Sequence, residues 1–325
     1  MYISQVYKVQ HDWWRYIIGA IGVIAGVVVF SLPHAFAIFA MVFTGEADES
    51  RLGDVNYLMT LFESNLNLVF LLLPFVGGLF ALLLIVKFLH KQSFTMLTTA
   101  REKIDWKRFW FAFLFWGIIS SSLIFLDYFT NPDGYEWNFQ PAKFAILFVL
   151  AILLIPLQTS FEEYFFRGYL MQGIGVLVKN RWFPLIITSV VFGLLHIANP
   201  EIEKLGYVLL VYYIGTGFFL GIITIMDDGL ELALGFHAAN NLFTALLVTA
   251  DWTAFQTHSI FKDVSDPTVA SFIDVFAPVF IIFPVLLFIF AKMYKWTGWR
   301  EKLFGRVEEP PNEDYKVLED TLEIE

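Results

Sequence analysis

Eight apolar runs follow one another along the 325 residues, at about 16–43, 66–89, 109–126, 144–171, 183–198, 206–226, 230–249 and 272–296. Most come close to the roughly 20 helical residues that cross a bilayer; the fourth is long and the fifth short. Composition agrees: 58% of the residues are hydrophobic and 16% charged, against about 45–50% and 25% in soluble domains. The chain therefore reads as an all-α polytopic membrane bundle of about eight transmembrane helices, one domain over 1–298. A tail over 299–325, acidic from Glu308 on and with Pro310 and Pro311, is expected to be cytoplasmic and disordered.

The first run is too long for a signal peptide and follows Trp13, Trp14 and Arg15, so it reads as an uncleaved helix with an interfacial anchor. Lys87, Lys91, Arg101, Lys103, Lys107 and Arg108 gather after the second run, Lys179 and Arg181 after the fourth, and Lys292, Lys295, Arg300 and Lys302 around the end of the eighth. The loops after the first and third runs carry mainly acids, such as Glu46, Asp54 and Asp127. Basic loops mark the cytoplasmic side, so both termini are expected there. Asn131-Pro132-Asp133-Gly134 reads as a surface turn, and the mixed outer loop over 251–271 as long enough for a short interfacial helix.

There are no cysteines, which removes disulfides, thiolate metal ligands and a cysteine nucleophile. No Gly-rich phosphate loop, internal repeat or basic nucleic-acid patch is present, so no nucleic-acid partner is expected. The chemistry lies in the polar residues inside the apolar runs.

Glu162, Glu163 and Arg167 sit in the fourth run, where each charge costs at least about 2.5–3.5 kcal/mol to insert. Glu163 and Arg167 stand at i and i+4 with the acid first, the favourable order for an ion pair. That leaves Glu162, about 100° around the helix, as the unneutralised carboxylate and a possible general base. His196, one turn after Phe192, reads by itself as a packed core histidine more readily than as a functional one. If the fourth and fifth runs form a hairpin around Lys179 and Asn180, however, Glu162 and His196 lie at one level, seventeen residues on either side of Lys179. His237 and Asn241 share a helix face in the seventh run, and interhelical hydrogen bonding is the plain alternative for that pair.

Glu-Glu-x-x-x-Arg at 162–167, Phe-x-x-x-His at 192–196 and His-x-x-x-Asn at 237–241, in this order and each in an apolar run, resemble the motifs of the CAAX-protease and bacteriocin-processing family, also called Abi. The resemblance covers roughly 144–249, which becomes the expected catalytic core. It implies an eight-helix intramembrane endopeptidase, in a bacterial inner membrane, with a polar cavity facing the cytosol. By motif position, Glu162 and His196 would activate water, His237 and Asn241 would stabilise the oxyanion, and Glu163 and Arg167 would orient Glu162. The substrate would be a peptide or protein, prenylated or otherwise membrane-associated. Glu162, His196 and His237 would also suit a zinc site holding a catalytic water, and spacing leaves metal-dependent and metal-free chemistry both open.

Two other classes compete. A proton-coupled transporter could relay protons through the same Glu and His residues, but the inverted repeats such folds use are absent from the sequence. A non-proteolytic scaffold or immunity-type protein could use the cluster only to bind a peptide. Elsewhere, His34 beside Pro33 reads as packing, Asp227-Asp228 as a helix-end turn before Gly229, and His11, His90 and His258 as solvated loop histidines.

Overall fold

The computed structural model describes residues 1–267 and 272–309. The eight apolar runs become helices α1 (Trp13–Phe43), α2 (Ser64–Phe88), α3 (Trp106–Thr130), α4 (Pro141–Val178), α5 (Trp182–Leu194), α6 (Leu210–Asp227), α7 (Glu231–Leu247) and α8 (Phe283–Met293). By length and apolar composition six segments can cross a membrane: α1, α2, α3, α4, α6 with the turn before it, and α8 with the turns before it. The two that fall short have different reasons. α5 stops at Leu194, thirteen residues long, before the bend that holds His196; α7 is seventeen residues long and carries Glu231, His237, Asn240 and Asn241.

Local chemistry explains most helix ends. Glu63 caps α2 by accepting from the Asn65 and Leu66 amides, and Asp105 caps α3 by accepting from Lys107, satisfying backbone donors that no preceding turn can reach. Pro141 opens α4, where its missing N–H costs nothing. Lys179 takes a left-handed conformation at φ 55° and turns α4 into α5, forming the hairpin expected from the spacing. Asp228, at φ 56°, ends α6 in the same way.

α7 lies at the centre. Leu232, Ala233 and Ala239 are wholly buried, and the helix packs on α3, α4 and α6. Gly235 lets the backbones of α7 and α3 touch: a Cβ there would stand 2.2 Å from the Phe109 carbonyl oxygen. Small residues at such crossings replace the hydrophobic driving force that lipid does not supply. By contrast α1 buries only Gly19 and Val23, and exposes Ile17, Ile21, Phe36 and Phe39 as an apolar outer wall. The chain is a multi-pass integral membrane protein.

One end of the bundle is closed by a three-stranded sheet in the order β1-β3-β2. Here β1 is Tyr135–Trp137, β2 Val248–Thr249 and β3 Phe261–Asp263. β1 and β3 are antiparallel, with Glu136 opposite Lys262, while β2 runs parallel to β3. The outer loop expected to hold an interfacial helix thus contributes a strand among its described residues, and Pro132–Gly134 makes the expected turn as a short 3₁₀ segment.

The other end is tied by charge. Asp227 accepts from Arg101 Nη2 at 2.9 Å and from Trp296 Nε1 at 3.0 Å, and also pairs with Arg108. Arg101 Nη1 reaches Glu231 Oε2 at 3.1 Å. The Tyr2 amide and Lys302 Nζ both bond Asp228, at 3.0 and 2.6 Å, so the two ends of the described chain meet at this face. Lys302 belongs to a helix over Trp299–Phe304, and Val307 is buried beyond it; 310–325, the main part of the expected acidic tail, lies outside the described residues.

His90 corrects its sequence reading. It is 1% exposed, hydrogen-bonded from Nδ1 to the Gln10 carbonyl at 2.8 Å and from Nε2 to the Tyr169 hydroxyl at 2.9 Å. The N-terminal segment folds back over it, a long-range contact that loop composition does not signal. Replacing Gly235 by Ala should lower stability by about 1–3 kcal/mol or more, because the added methyl meets backbone that cannot repack. Thermal unfolding of the purified protein in detergent reads the loss, and an unchanged midpoint would show that the two helices separate freely.

Candidate active site

The site forms where α4 and α7 lie side by side, next to the end of α5. Glu162 and Glu163 are the last α-helical residues before a π-helical turn over Tyr164–Leu170. Such a turn has i→i+5 hydrogen bonds, so it widens the coil and re-aims its side chains, and π turns recur at functional sites. Arg167 lies within it.

Glu163 and Arg167 are both wholly buried. Glu163 Oε1 accepts from Arg167 Nη1 at 2.9 Å and from His237 Nδ1 at 2.8 Å. The guanidinium also donates from Nη2 to the Gly217 carbonyl at 3.2 Å, and its carbon stands 4.3 Å from the centre of the Phe192 ring. One carboxylate oxygen thus joins α4 to α7, and one guanidinium joins α4 to α6 and α5. A charge this deep is tolerable only when so compensated.

The clamp orients His237. A carboxylate only accepts, so Nδ1 carries the proton and Nε2 points away from Glu163. Nε2 lies 3.5 Å from Glu162 Oε2, longer than a direct hydrogen bond. Glu162 is 8% exposed, and its Oε2 is buried with no hydrogen-bond partner among the described residues. An acceptor held in that state is costly unless a ligand or reactant meets it.

His196 stands in the bend after α5, partly buried. Its Nδ1 lies 2.8 Å from the Phe192 carbonyl, which only accepts, so Nδ1 is protonated and Nε2 is the basic nitrogen. Tyr213 stacks on the ring at 4.2 Å and 20°. Phe192 touches three site groups, its ring centre 5.0 Å from His196 and 6.0 Å from His237 as well as under Arg167, which gives the Phe of the Phe-x-x-x-His pattern a physical task. Asn241 Nδ2 donates to Gln158 Oε1 at 3.1 Å.

The structure therefore brings Glu162, Glu163, Arg167 and His237 into one contact group, with His196 and Asn241 at its margins. Sequence reasoning passed over Gln158 and Tyr213. Gln158 stands one helical turn before Glu162 and was open to the i,i+4 argument applied to Glu163 and Arg167, whereas Tyr213 carries no sequence signal, since its place depends on how α6 packs against α5. Among the described residues no three His, Asp or Glu side chains form a group suited to a metal ion. Of the three side chains expected to suit zinc, Glu162 and His237 face each other, and among the described residues His196 makes no hydrogen bond or ion pair to either, so the three do not converge on one point in this arrangement.

A family model described as type II CAAX prenyl endopeptidase Rce1-like matches residues 141–243, from the first residue of α4 into α7. The chain is 34% identical over 242 residues to a Bacillus subtilis (strain 168) protein bearing the name Uncharacterized protein YyaK, an alignment covering 73% of this chain and 78% of that one. No solved structure matches the chain.

Because Arg167 neutralises a wholly buried carboxylate, Arg167→Ala should cost roughly 3–5 kcal/mol, the usual effect of breaking a buried pair. Lysine should recover only part, having neither the second donor for Gly217 nor the flat face over Phe192. Thermal unfolding of both variants tests this, and a wild-type midpoint for Arg167→Ala would show that the pair carries no load.

Proposed function

The chain belongs to the Rce1-like family of type II CAAX prenyl endopeptidases, and from that premise we propose that it hydrolyses a peptide bond of a membrane-associated substrate inside the bilayer of a plasma membrane, with Glu162 as the base that activates water. The observation that supports this most is the buried Glu162 carboxylate, which, unlike Glu163, is not tied to Arg167 and stands 3.5 Å from His237 Nε2. We read the face tied by Asp227 and Asp228 as cytoplasmic, with both termini there.

Peptide hydrolysis needs a base for water, donors at the developing oxyanion and a proton for the leaving amine. Glu162 takes one proton from water as the hydroxide oxygen bonds to the carbonyl carbon. In its doubly protonated form His237 keeps Nδ1–H on Glu163 and offers Nε2–H to the carbonyl oxygen as that oxygen becomes an oxyanion. Asn241 adds a second donor beside it. When the tetrahedral intermediate collapses, the C–N bond breaks and the proton held by Glu162 passes to the amine. His196, whose basic nitrogen is Nε2, orients the water. Glu163 and Arg167 act through His237 and the helix, holding both in place.

Glu162→Gln keeps the shape and removes the base. With a quenched fluorescent peptide bearing a farnesylated cysteine four residues from its carboxyl end, in liposomes, kcat should fall by about 10²–10⁴-fold, the usual weight of general-base catalysis. Wild-type turnover by this variant would remove Glu162 from the role. As the residues do not converge on a metal, 1,10-phenanthroline should leave the wild-type rate unchanged and elemental analysis should find well under one zinc per chain; inhibition reversed by added zinc would overturn the metal-free route.

A further inference from the structure

Two pairs of side chains bridge the antiparallel helices α4 and α7 like rungs one helical turn apart. Glu162 faces His237, and Gln158 faces Asn241. The second rung is the end of a longer chain of hydrogen bonds. Trp116 Nε1, on α3, donates to Asn240 Oδ1 at 3.1 Å; Asn240 Nδ2 donates to Asn241 Oδ1 at 3.2 Å; Asn241 Nδ2 donates to Gln158 Oε1 at 3.1 Å.

The direction of this chain follows from chemistry. An indole N–H donates and cannot accept, so Asn240 must turn its oxygen to Trp116 and its nitrogen to Asn241. Asn241 must then offer its oxygen to Asn240 and its nitrogen to Gln158, and Gln158 must offer its oxygen to Asn241. Tyr212 also reaches the Asn240 amide, but a hydroxyl donates or accepts and imposes no direction of its own. Aligned amides polarise one another, so each donor along the row is strengthened.

The row ends at Gln158 Nε2. Gln158 is 4% exposed, yet this nitrogen has no acceptor among the described residues and is not one of the sealed, unsatisfied polar atoms. Its two N–H bonds are therefore without a protein acceptor among the described residues, on a residue one helical turn before Glu162. We propose that Gln158 is a catalytic residue of the site: its carboxamide, oriented from Trp116 through Asn240 and Asn241, donates to the carbonyl oxygen of the scissile peptide as that oxygen becomes negative. The first hydrogen of Asn241 is spent on holding Gln158, so the oxyanion site is built from one more side chain than the motif residues alone supply. This inference rests on the hydrolytic reading above.

The test compares Gln158→Met, which keeps length and removes both the acceptor and the donors, with Trp116→Phe, which keeps a ring against Phe236 and removes the N–H that sets the direction. On the same farnesylated peptide, Gln158→Met should lose about 10²–10³-fold in kcat with KM within about twofold, and its thermal midpoint should fall by no more than the loss of the single hydrogen bond to Asn241 explains. Trp116→Phe should lose kcat in the same pattern to a smaller extent. A Gln158→Met kcat within threefold of wild type, or an equal loss in kcat/KM that resides wholly in KM, overturns the donor role; an unchanged kcat in Trp116→Phe overturns the directional relay, including where Gln158→Met fails to fold. Binding of a farnesylated phosphinate peptide, a tetrahedral mimic, separates the two levels of reading. If wild type binds the phosphinate but cleaves nothing, the hydrolytic reading fails, and a loss of about 10²-fold in phosphinate affinity in Gln158→Met sustains the donor. If wild type does not bind the phosphinate, or Gln158→Met binds it equally well, the donor role is overturned.

Discussion

The site depends on one carboxylate oxygen. Glu163 Oε1 takes hydrogen bonds from Arg167 on its own helix and from His237 on α7, in a place from which water is excluded. Removing any member leaves a charge or a buried donor without a partner, and in a low-dielectric interior that penalty exceeds what the intact group contributes. The consequence is geometric as much as energetic. With Nδ1 tied to Glu163, the His237 ring has one orientation, and its other nitrogen faces Glu162.

The surrounding architecture serves to keep that contact dry and fixed. The π turn after Glu163 brings Arg167 under Gly217 and over Phe192, so one residue draws α5 and α6 against α4. The close approach at Gly235 seats α7 against α3 and puts Trp116 within reach of Asn240. Far from the site, Asp227 gathers Arg101, Arg108 and Trp296 and fixes the α6–α7 turn from which His237 is measured. Charged residues are few in this chain, and those inside the bundle are concentrated at these two knots.

Hydrophobic run length was enough to read the helices because lipid leaves a spanning backbone no partner outside itself. Run length did not say which helices would be enclosed: α7 carries Glu231, His237, Asn240 and Asn241 yet is buried almost all round, while the apolar α1 is nearly all surface. His90 looked like a loop residue and is sealed by Gln10 and Tyr169 from remote parts of the chain. Asp227-Asp228 read as a helix end, and it is one, but nothing local in the sequence announced that it would also collect both ends of the described chain.

In the candidate site, the sequence by itself determined what lies along each helix: Glu163 with Arg167, His237 with Asn241, Phe192 with His196, and the turn at Lys179. These relations follow from 3.6 residues per turn and need no knowledge of a neighbour. Only the tertiary structure decided what lies between helices: that Glu163 rather than Glu162 holds His237, that Gln158 stands opposite Asn241, that Tyr213 covers His196, and that Trp116 gives the row of amides its direction. Spacing within a helix is a property of the backbone, whereas rotation and depth of one helix against another are set by packing over its whole length, and a one-turn slide would exchange every rung.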